Sequence, residues 1–138
     1  MKNLREQYLD IGKTLEWKSE EQIDASVLLS FDYQYSNQPA EITIDTEEFT
    51  ALCPWTGLPD TGILTITYEP SNKLLELKSL KYYILSYRDV GIVQEHAAGR
   101  ILEDLVAACK PKRMTILLDY RMRGGLHTSV TVQHPIKD

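Results

Sequence analysis

Apolar and polar positions alternate cleanly along Ala40-Glu41-Ile42-Thr43-Ile44-Asp45 and less regularly along Val27-Leu28-Leu29-Ser30-Phe31-Asp32-Tyr33, with the turn formers Asn37, Gln38 and Pro39 between them. A period of two puts successive side chains on opposite faces, so both runs predict strands. Gly62-Ile63-Leu64-Thr65-Ile66-Thr67-Tyr68 and Leu74-Leu75-Glu76-Leu77 predict two more, joined as a hairpin through Pro70-Ser71-Asn72. The period then changes. Ser79 predicts a cap for a helix from Leu80 to about Arg88. Beyond the break at Gly91, Ile101, Leu102, Leu105 and Cys109 form an apolar stripe, predicting a longer helix that stops at Lys110-Pro111 and keeps Cys109 in the core. Met114 to Tyr120 and Thr128 to Gln133 predict a closing hairpin around Arg121 to Leu126.

The central order is therefore strand, strand, helix, helix, strand, strand (ββααββ), with both hairpins antiparallel because their connections are short. That pattern predicts an α+β domain with two helices on one face of a four-stranded sheet. The other face or the edges then need cover, and subunit association is one solution. Residues 1–138 read as a single domain with no repeat. Residues 1–26, polar apart from Leu4, Tyr8, Leu9 and Leu15, read as an irregular N-terminal extension.

A chain of 138 residues buries enough surface to fold without a disulfide or metal. The hydrophobic fraction of 43% and charged fraction of 25% are those of an ordinary globular protein. No apolar run approaches the roughly 20 residues that cross a bilayer, so no membrane association is expected. The first residues lack an apolar signal core, and the chain has only Cys53 and Cys109, which points to a reducing cytoplasm. A net charge of −5 argues against direct nucleic-acid binding through phosphate neutralisation.

Candidate chemistry begins at Phe49-Thr50-Ala51-Leu52-Cys53-Pro54-Trp55-Thr56-Gly57-Leu58-Pro59-Asp60, where Pro and Gly hold a thiol on a loop with a carboxyl seven residues later. That arrangement suits a nucleophile with a proton donor. Glu76-Leu77-Lys78-Ser79-Leu80-Lys81-Tyr82-Tyr83, Tyr87-Arg88-Asp89-Val90-Gly91-Ile92-Val93-Gln94-Glu95 and Arg123-Gly124-Gly125 follow in order. Together, from about Phe49 through Gly125, these blocks resemble the single-module 7-cyano-7-deazaguanine reductases, known as QueF. In particular, the second block matches their Glu-(Ser/Leu)-Lys-(Ser/Ala)-x-Lys-(Leu/Tyr) signature.

The resemblance implies the tunnelling fold, whose sheets join side by side into barrels, and a homo-oligomer with active sites between subunits. It also implies NADPH-dependent reduction of a nitrile to an aminomethyl group in queuosine biosynthesis. In that scheme Cys53 adds to the nitrile carbon and Asp60 delivers protons. Leu75, Glu76, Leu77, Gln94 and Glu95 contact the deazapurine, whose ring N–H and amino donors suit carboxylate acceptors. Leu77, Lys78, Lys81, Arg123 and Gly124 contact the cofactor. Lys78 and Lys81, three apart at a helix start, could meet phosphate together, and Arg123 could join them on folding. No Gly-x-Gly-x-x-Gly follows a strand, so the nicotinamide would be held outside a Rossmann domain. His127 and His134 have no metal-ligand spacing with either cysteine, and no metal is expected.

One position departs from the family pattern: Gln94 stands where a histidine commonly precedes the substrate glutamate. Glutamine hydrogen-bonds but does not titrate near neutrality, so it can carry no proton relay. His96, two residues on, points elsewhere on a helix. Two other readings stay open: a QueF-like amidinotransferase acting on the nitrile in transfer RNA (archaeosine formation), and an inert binding protein that keeps only the purine pocket.

Overall fold

The fold is built on the alternation in two long strands, β2 (Ile42–Leu52) and β3 (Pro59–Glu69), which pair antiparallel through the connection that holds Cys53. The computed structural model describes residues 1–13 and 16–136. Preceding these strands are α1 (Leu4–Lys13), two single 3₁₀ turns and the short β1 (Ser30–Asp32); following them come β4 (Lys73–Leu75), α2 (Leu77–Leu85), α3 (Gln94–Cys109), β5 (Arg113–Tyr120) and β6 (Ser129–His134). The main sheet is antiparallel in the order β2-β3-β5-β6, while β1 and β4 form a separate two-stranded sheet. The domain is α+β, with α2 and α3 inserted between the second and third strands of the main sheet.

Period-two patterning decides which face the helices cover. Leu64, Ile66 and Tyr68 of β3 and Met114, Ile116 and Leu118 of β5 are buried toward Ile101, Leu105 and Cys109 of α3. Burying each such aliphatic side chain contributes about 1.5–3 kcal/mol. The alternate residues, Thr65, Thr67, Thr115 and Leu117, lie half-exposed on the opposite face. Beneath the helices, Tyr83 Oη donates to Asp104 Oδ2 at 2.6 Å and meets Tyr87 Oη at 2.8 Å, while Arg100 Nε donates to the same carboxylate oxygen at 2.7 Å. This satisfied polar network ties α2 to α3. Helix α3 ends with Lys110 in the left-handed region at φ 46°, followed by Pro111, as the stop signal predicts.

Three expectations are corrected. The hairpin through Pro70 does not form: β3 pairs with β2 and β5, and β4 turns away to β1. A register shift between Thr46 and Phe49 interrupts the alternation of β2 and disguises it as the partner of β3. Helix α2 starts three residues before Leu80 because Glu76, not Ser79, is its cap. The first 26 residues are not irregular throughout, since α1 opens with a capping box in which Asn3 Oδ1 accepts from Glu6 N–H at 2.9 Å and Glu6 Oε2 accepts from Asn3 N–H at 3.1 Å. Of the anchors named there, Leu4 and Leu9 are exposed. Leu15 lies outside the described residues, and so does the side chain of Tyr8.

Candidate active site

Cys53 follows the last residue of β2 and opens a tight turn into β3. Its N–H donates to Leu58 O at 2.9 Å, Gly57 N–H donates to Cys53 O at 2.8 Å, and Leu58 N–H donates to Thr56 Oγ1 at 3.2 Å. Gly57 adopts φ 74°, a left-handed conformation that glycine enters at no steric cost. The result is a thiol only 8% exposed. Burial pushes the Cys53 thiol up, but hydrogen bonds from the Thr56 hydroxyl, the amides of Trp55 and Thr56, and the Arg123 guanidinium outweigh it and leave the thiol below its ordinary value.

Asp60, the second residue of β3, pairs across the hairpin with Ala51 and is 5% exposed. Its Oδ1 accepts from Arg123 Nη1. Arg123 is fixed by a two-residue hairpin turn: Arg123 N–H donates to Leu126 O at 3.0 Å, Leu126 N–H returns the bond at 2.9 Å, and Gly124 and Gly125 sit at φ 55° and 79°. A Cβ at Gly124 would touch nothing, so it is the positive φ that calls for glycine there.

A second set of bonds brings the start of α3 to the same end of the sheet. Leu52 N–H donates to Val90 O at 2.9 Å and Ile92 N–H donates to Leu52 O at 3.0 Å, so the segment leading into Gln94 and Glu95 runs parallel to the end of β2. Tyr120, at the end of β5, donates to Gln94 O at 3.3 Å. Burial first, then the charges of Asp60 and Glu95, push the Tyr120 phenol well up. Glu95 is exposed in the first turn, where a carboxylate complements the helix dipole. On the outer side of this segment Lys18 N–H donates to Asp89 O at 2.7 Å and Gly91 N–H donates to Lys18 O at 2.9 Å. Trp17, Lys18, Glu20, Pro54, Val93 and His96 border a cleft of about 430 Å³ there.

The remaining expected residues lie elsewhere. Leu75 N–H donates to Tyr68 Oη at 3.1 Å, and Tyr68 is eight positions beyond Asp60 on β3, about 27 Å along a strand. Glu76 accepts from the amides of Lys78 at 2.7 Å and Ser79 at 2.8 Å, bonds that hold its carboxyl below the usual range, the Ser79 amide most. Leu77 and Lys78 are exposed in the first turn of α2. Lys81, one turn on, reaches Glu48 Oε2 at 3.7 Å and borders an apolar groove of about 230 Å³ between α2 and β2. Within one chain, then, Arg123 joins Asp60 and does not meet Lys78 or Lys81.

A family model described as QueF-like protein matches residues 59–138, more than half of the chain. An NADPH-dependent 7-cyano-7-deazaguanine reductase of Caldicellulosiruptor bescii is 52% identical over 114 residues, covering 83% of this chain and 87% of that protein. The chain belongs to the QueF family. A reductase of the same name from Chlorobaculum tepidum is 45% identical over 112 residues, covering 81% of this chain and 96% of its own. The crystal structure of an archaeosine synthase QueF-Like in the apo form superposes with a TM-score of 0.65 at 23% identity, over 70% of this chain and 94% of that one, which establishes the shared fold.

Set against the QueF resemblance, the structure gathers Cys53, Asp60, Arg123, Gly124, Gln94 and Glu95 at one end of the sheet, while Leu75 and Glu76 stand toward the Tyr68 end and Leu77, beside Lys78, borders the groove over Ile44, Thr46, Leu64 and Ile66. Two residues escaped the sequence reading. Thr56, whose hydroxyl serves the Cys53 sulfur, lies in the quoted cysteine loop and could have been found there. Tyr120 carried no signal beyond an inward position on a strand.

Proposed function

We propose that this QueF-family protein reduces the nitrile of 7-cyano-7-deazaguanine to an aminomethyl group with NADPH, through a thioimide on Cys53. The observation that carries the reading is a hydrogen-bonded thiol, lowered below its ordinary value, beside a buried carboxylate at the end of one hairpin. Cys53 passes its thiol proton to the Asp60 carboxylate, the thiolate adds to the nitrile carbon, a carbon–sulfur bond replaces one π bond, and the nitrogen takes that proton from Asp60. Two NADPH molecules, bound in turn, would each supply one hydride, the first to the thioimide carbon and the second after the carbon–sulfur bond has broken. Release of the carbon–sulfur bond returns the Cys53 thiolate, and the nitrogen gathers its remaining protons through Asp60. Gln94 cannot relay them.

Lys78 and Lys81, solvent-facing and one turn apart on α2, suit the charge of a phosphorylated cofactor. Glu95 would accept from the donor edge of the deazapurine. Glu76 would do so only by giving up its capping bonds. Because the Cys53–Asp60 pair and the α2 residues do not meet within one chain, a complete site calls for a second subunit, which supports a homo-oligomer with sites between copies.

The amidinotransferase reading is weaker. Relatives named as reductases stand at 45% to 52% identity, while the archaeosine synthase stands at 23%. The experiment is NADPH absorbance with 7-cyano-7-deazaguanine for wild type and Cys53→Ala, with product mass measured. Two NADPH oxidised per nitrile, abolished in the variant, supports the reductase; an adduct on Cys53 without oxidation would replace it with the amidinotransferase.

A further inference from the structure

We propose that Trp17 is a positioning residue of the substrate site: packed on Gly91, it holds the N-terminal arm as an outer strand that aims the start of α3, and with it Glu95, relative to Cys53. The proposal rests on the reductase reading, in which Glu95 takes the donor edge of the deazapurine.

The segment between α2 and α3 is bonded on both sides, and its main-chain groups alternate between the two. Val90 O accepts from Leu52 N–H at 2.9 Å and Ile92 N–H donates to Leu52 O at 3.0 Å, and Leu52 is the residue before Cys53. Asp89 O accepts from Lys18 N–H at 2.7 Å and Gly91 N–H donates to Lys18 O at 2.9 Å. Both pairings are parallel, so the link into α3 is the middle strand of a short ribbon. Val90 and Ile92 are buried in the core, which fixes how the ribbon lies. On its outer side glycine at 91 leaves room for the Trp17 indole, which occupies the place a Cβ would take. Beyond Lys18 the arm is anchored again at the buried Ile23, whose N–H donates to Glu20 O at 3.1 Å.

The ribbon matters to Glu95 because of how α3 begins. Val93 stands at the N-cap and makes no side-chain bond to the first turn, so no cap side chain sets the direction in which the helix leaves. Direction comes from the main chain before it, bonded to Leu52 and Lys18, and from Tyr120, whose hydroxyl donates to Gln94 O at 3.3 Å. With the arm displaced, Asp89 O and Gly91 N–H lose these bonds and Leu52 holds the segment from one side. A charge-assisted bond from Glu95 to the substrate weakens with such a shift. The Cys53 thiol is insulated from it, because Trp55 and Thr56 of its own loop supply hydrogen bonds to the sulfur.

The test compares wild type with Trp17→Ala and Trp17→Phe in steady-state kinetics, alongside iodoacetamide labelling of Cys53 read by mass spectrometry. For Trp17→Ala we expect the KM for 7-cyano-7-deazaguanine to rise about tenfold, the KM for NADPH to stay within about twofold, and the labelling rate of Cys53 to match wild type. Trp17→Phe keeps a flat ring on Gly91 and recovers most of the deazapurine KM. If Trp17→Ala fails to fold, Trp17→Leu, which keeps an apolar side chain there without the ring, carries the test on the same terms. A wild-type deazapurine KM in the variant overturns the proposal. So does a fall in kcat with both KM values unchanged, which is the mark of fewer folded molecules. Should wild type oxidise no NADPH, the reductase reading falls, and calorimetry with 7-cyano-7-deazaguanine decides: a Kd raised in Trp17→Ala keeps the role of Trp17, while an equal Kd, or no binding by wild type, ends it.

Discussion

Tyr120 places its buried hydroxyl 3.3 Å from the main-chain oxygen of Gln94, joining the end of β5 to the first residue of α3. The contact sets where Glu95 stands relative to Asp60, since the two carboxyl groups belong to elements that are otherwise far apart in sequence. Tyr120→Phe keeps the ring packed on Phe49, whose centroid is 6.3 Å away, and removes only the hydroxyl. Stability should drop by about 0.5–1 kcal/mol in urea unfolding, the net worth of one neutral hydrogen bond. The KM for the deazapurine should rise severalfold with iodoacetamide labelling of Cys53 unchanged. A variant with wild-type KM would show that Tyr120 packs without aiming Glu95.

The two thiols should separate completely by reactivity. Cys53 lies below the ordinary thiol value through its hydrogen bonds, whereas burial alone pushes Cys109 up to about 11. At pH 7 to 8 iodoacetamide should label Cys53 and spare Cys109 until the protein unfolds, because the thiolate is the reacting form. Thr56→Val removes one donor to the sulfur and should move the labelling midpoint of Cys53 upward. Equal labelling of both thiols in folded protein would contradict this ordering.

Gly91 accounts for the position of the N-terminal arm. A Cβ there would fall 2.3 Å from Trp17 Cδ1, inside any real contact, and the obstacle is a rigid indole ring. Gly91→Ala should therefore push Trp17 off the segment and open the bond from Gly91 N–H to Lys18 O. Hydrogen exchange at residue 91 should quicken while exchange in β3 and β5 stays slow. Unchanged exchange at 91 would mean that the arm shifts without detaching.

How legible the chain was depended on the range of each interaction. Cys53 and Asp60 were readable together because Pro54, Gly57 and Pro59 mark the turn that joins them, and the end of α3 because Lys110-Pro111 stops a helix locally. The capping box at Asn3 and Glu6 was equally local and was passed over because α1 exposes Leu4, Leu9 and Ile11 rather than burying a stripe. The cap of α2 was misjudged because Glu76 and Ser79, three residues apart, compete for it, and the winner depends on where the strand before them ends. The pairing of Arg123 with Asp60, 63 residues apart, follows from the register of β3 on β5, which no short window contains.

Glu76 should leave a signature in the acid stability of the protein. Its carboxyl is held below the ordinary range by the amides of Ser79 and Lys78. A group whose folded value is depressed gives stability that is present above its unfolded value, about 4.3 for glutamate, and lost as pH falls through the lower folded value. Glu76→Gln should thus lower the melting temperature at pH 7, with the gap to wild type closing below about pH 4. A gap that is constant with pH would assign the effect to packing.

Mixing experiments decide whether the two ends of the chain meet across a subunit boundary. Cys53→Ala removes the nucleophile at the end of the sheet and Lys78→Ala removes a cation at the start of α2, so each protein alone should be inactive or nearly so. If every site combines the Cys53 end of one copy with the Lys78 end of another, random reassembly of equal amounts restores about a quarter of the wild-type sites, since each half is intact with even odds. Sites built within one chain would gain nothing from mixing. The assay is NADPH oxidation after joint unfolding and refolding of the two variants, with native mass spectrometry to establish that mixed oligomers formed. Mixed oligomers without recovered activity would sink the intersubunit site, because exchange would have occurred and no complete site would have resulted.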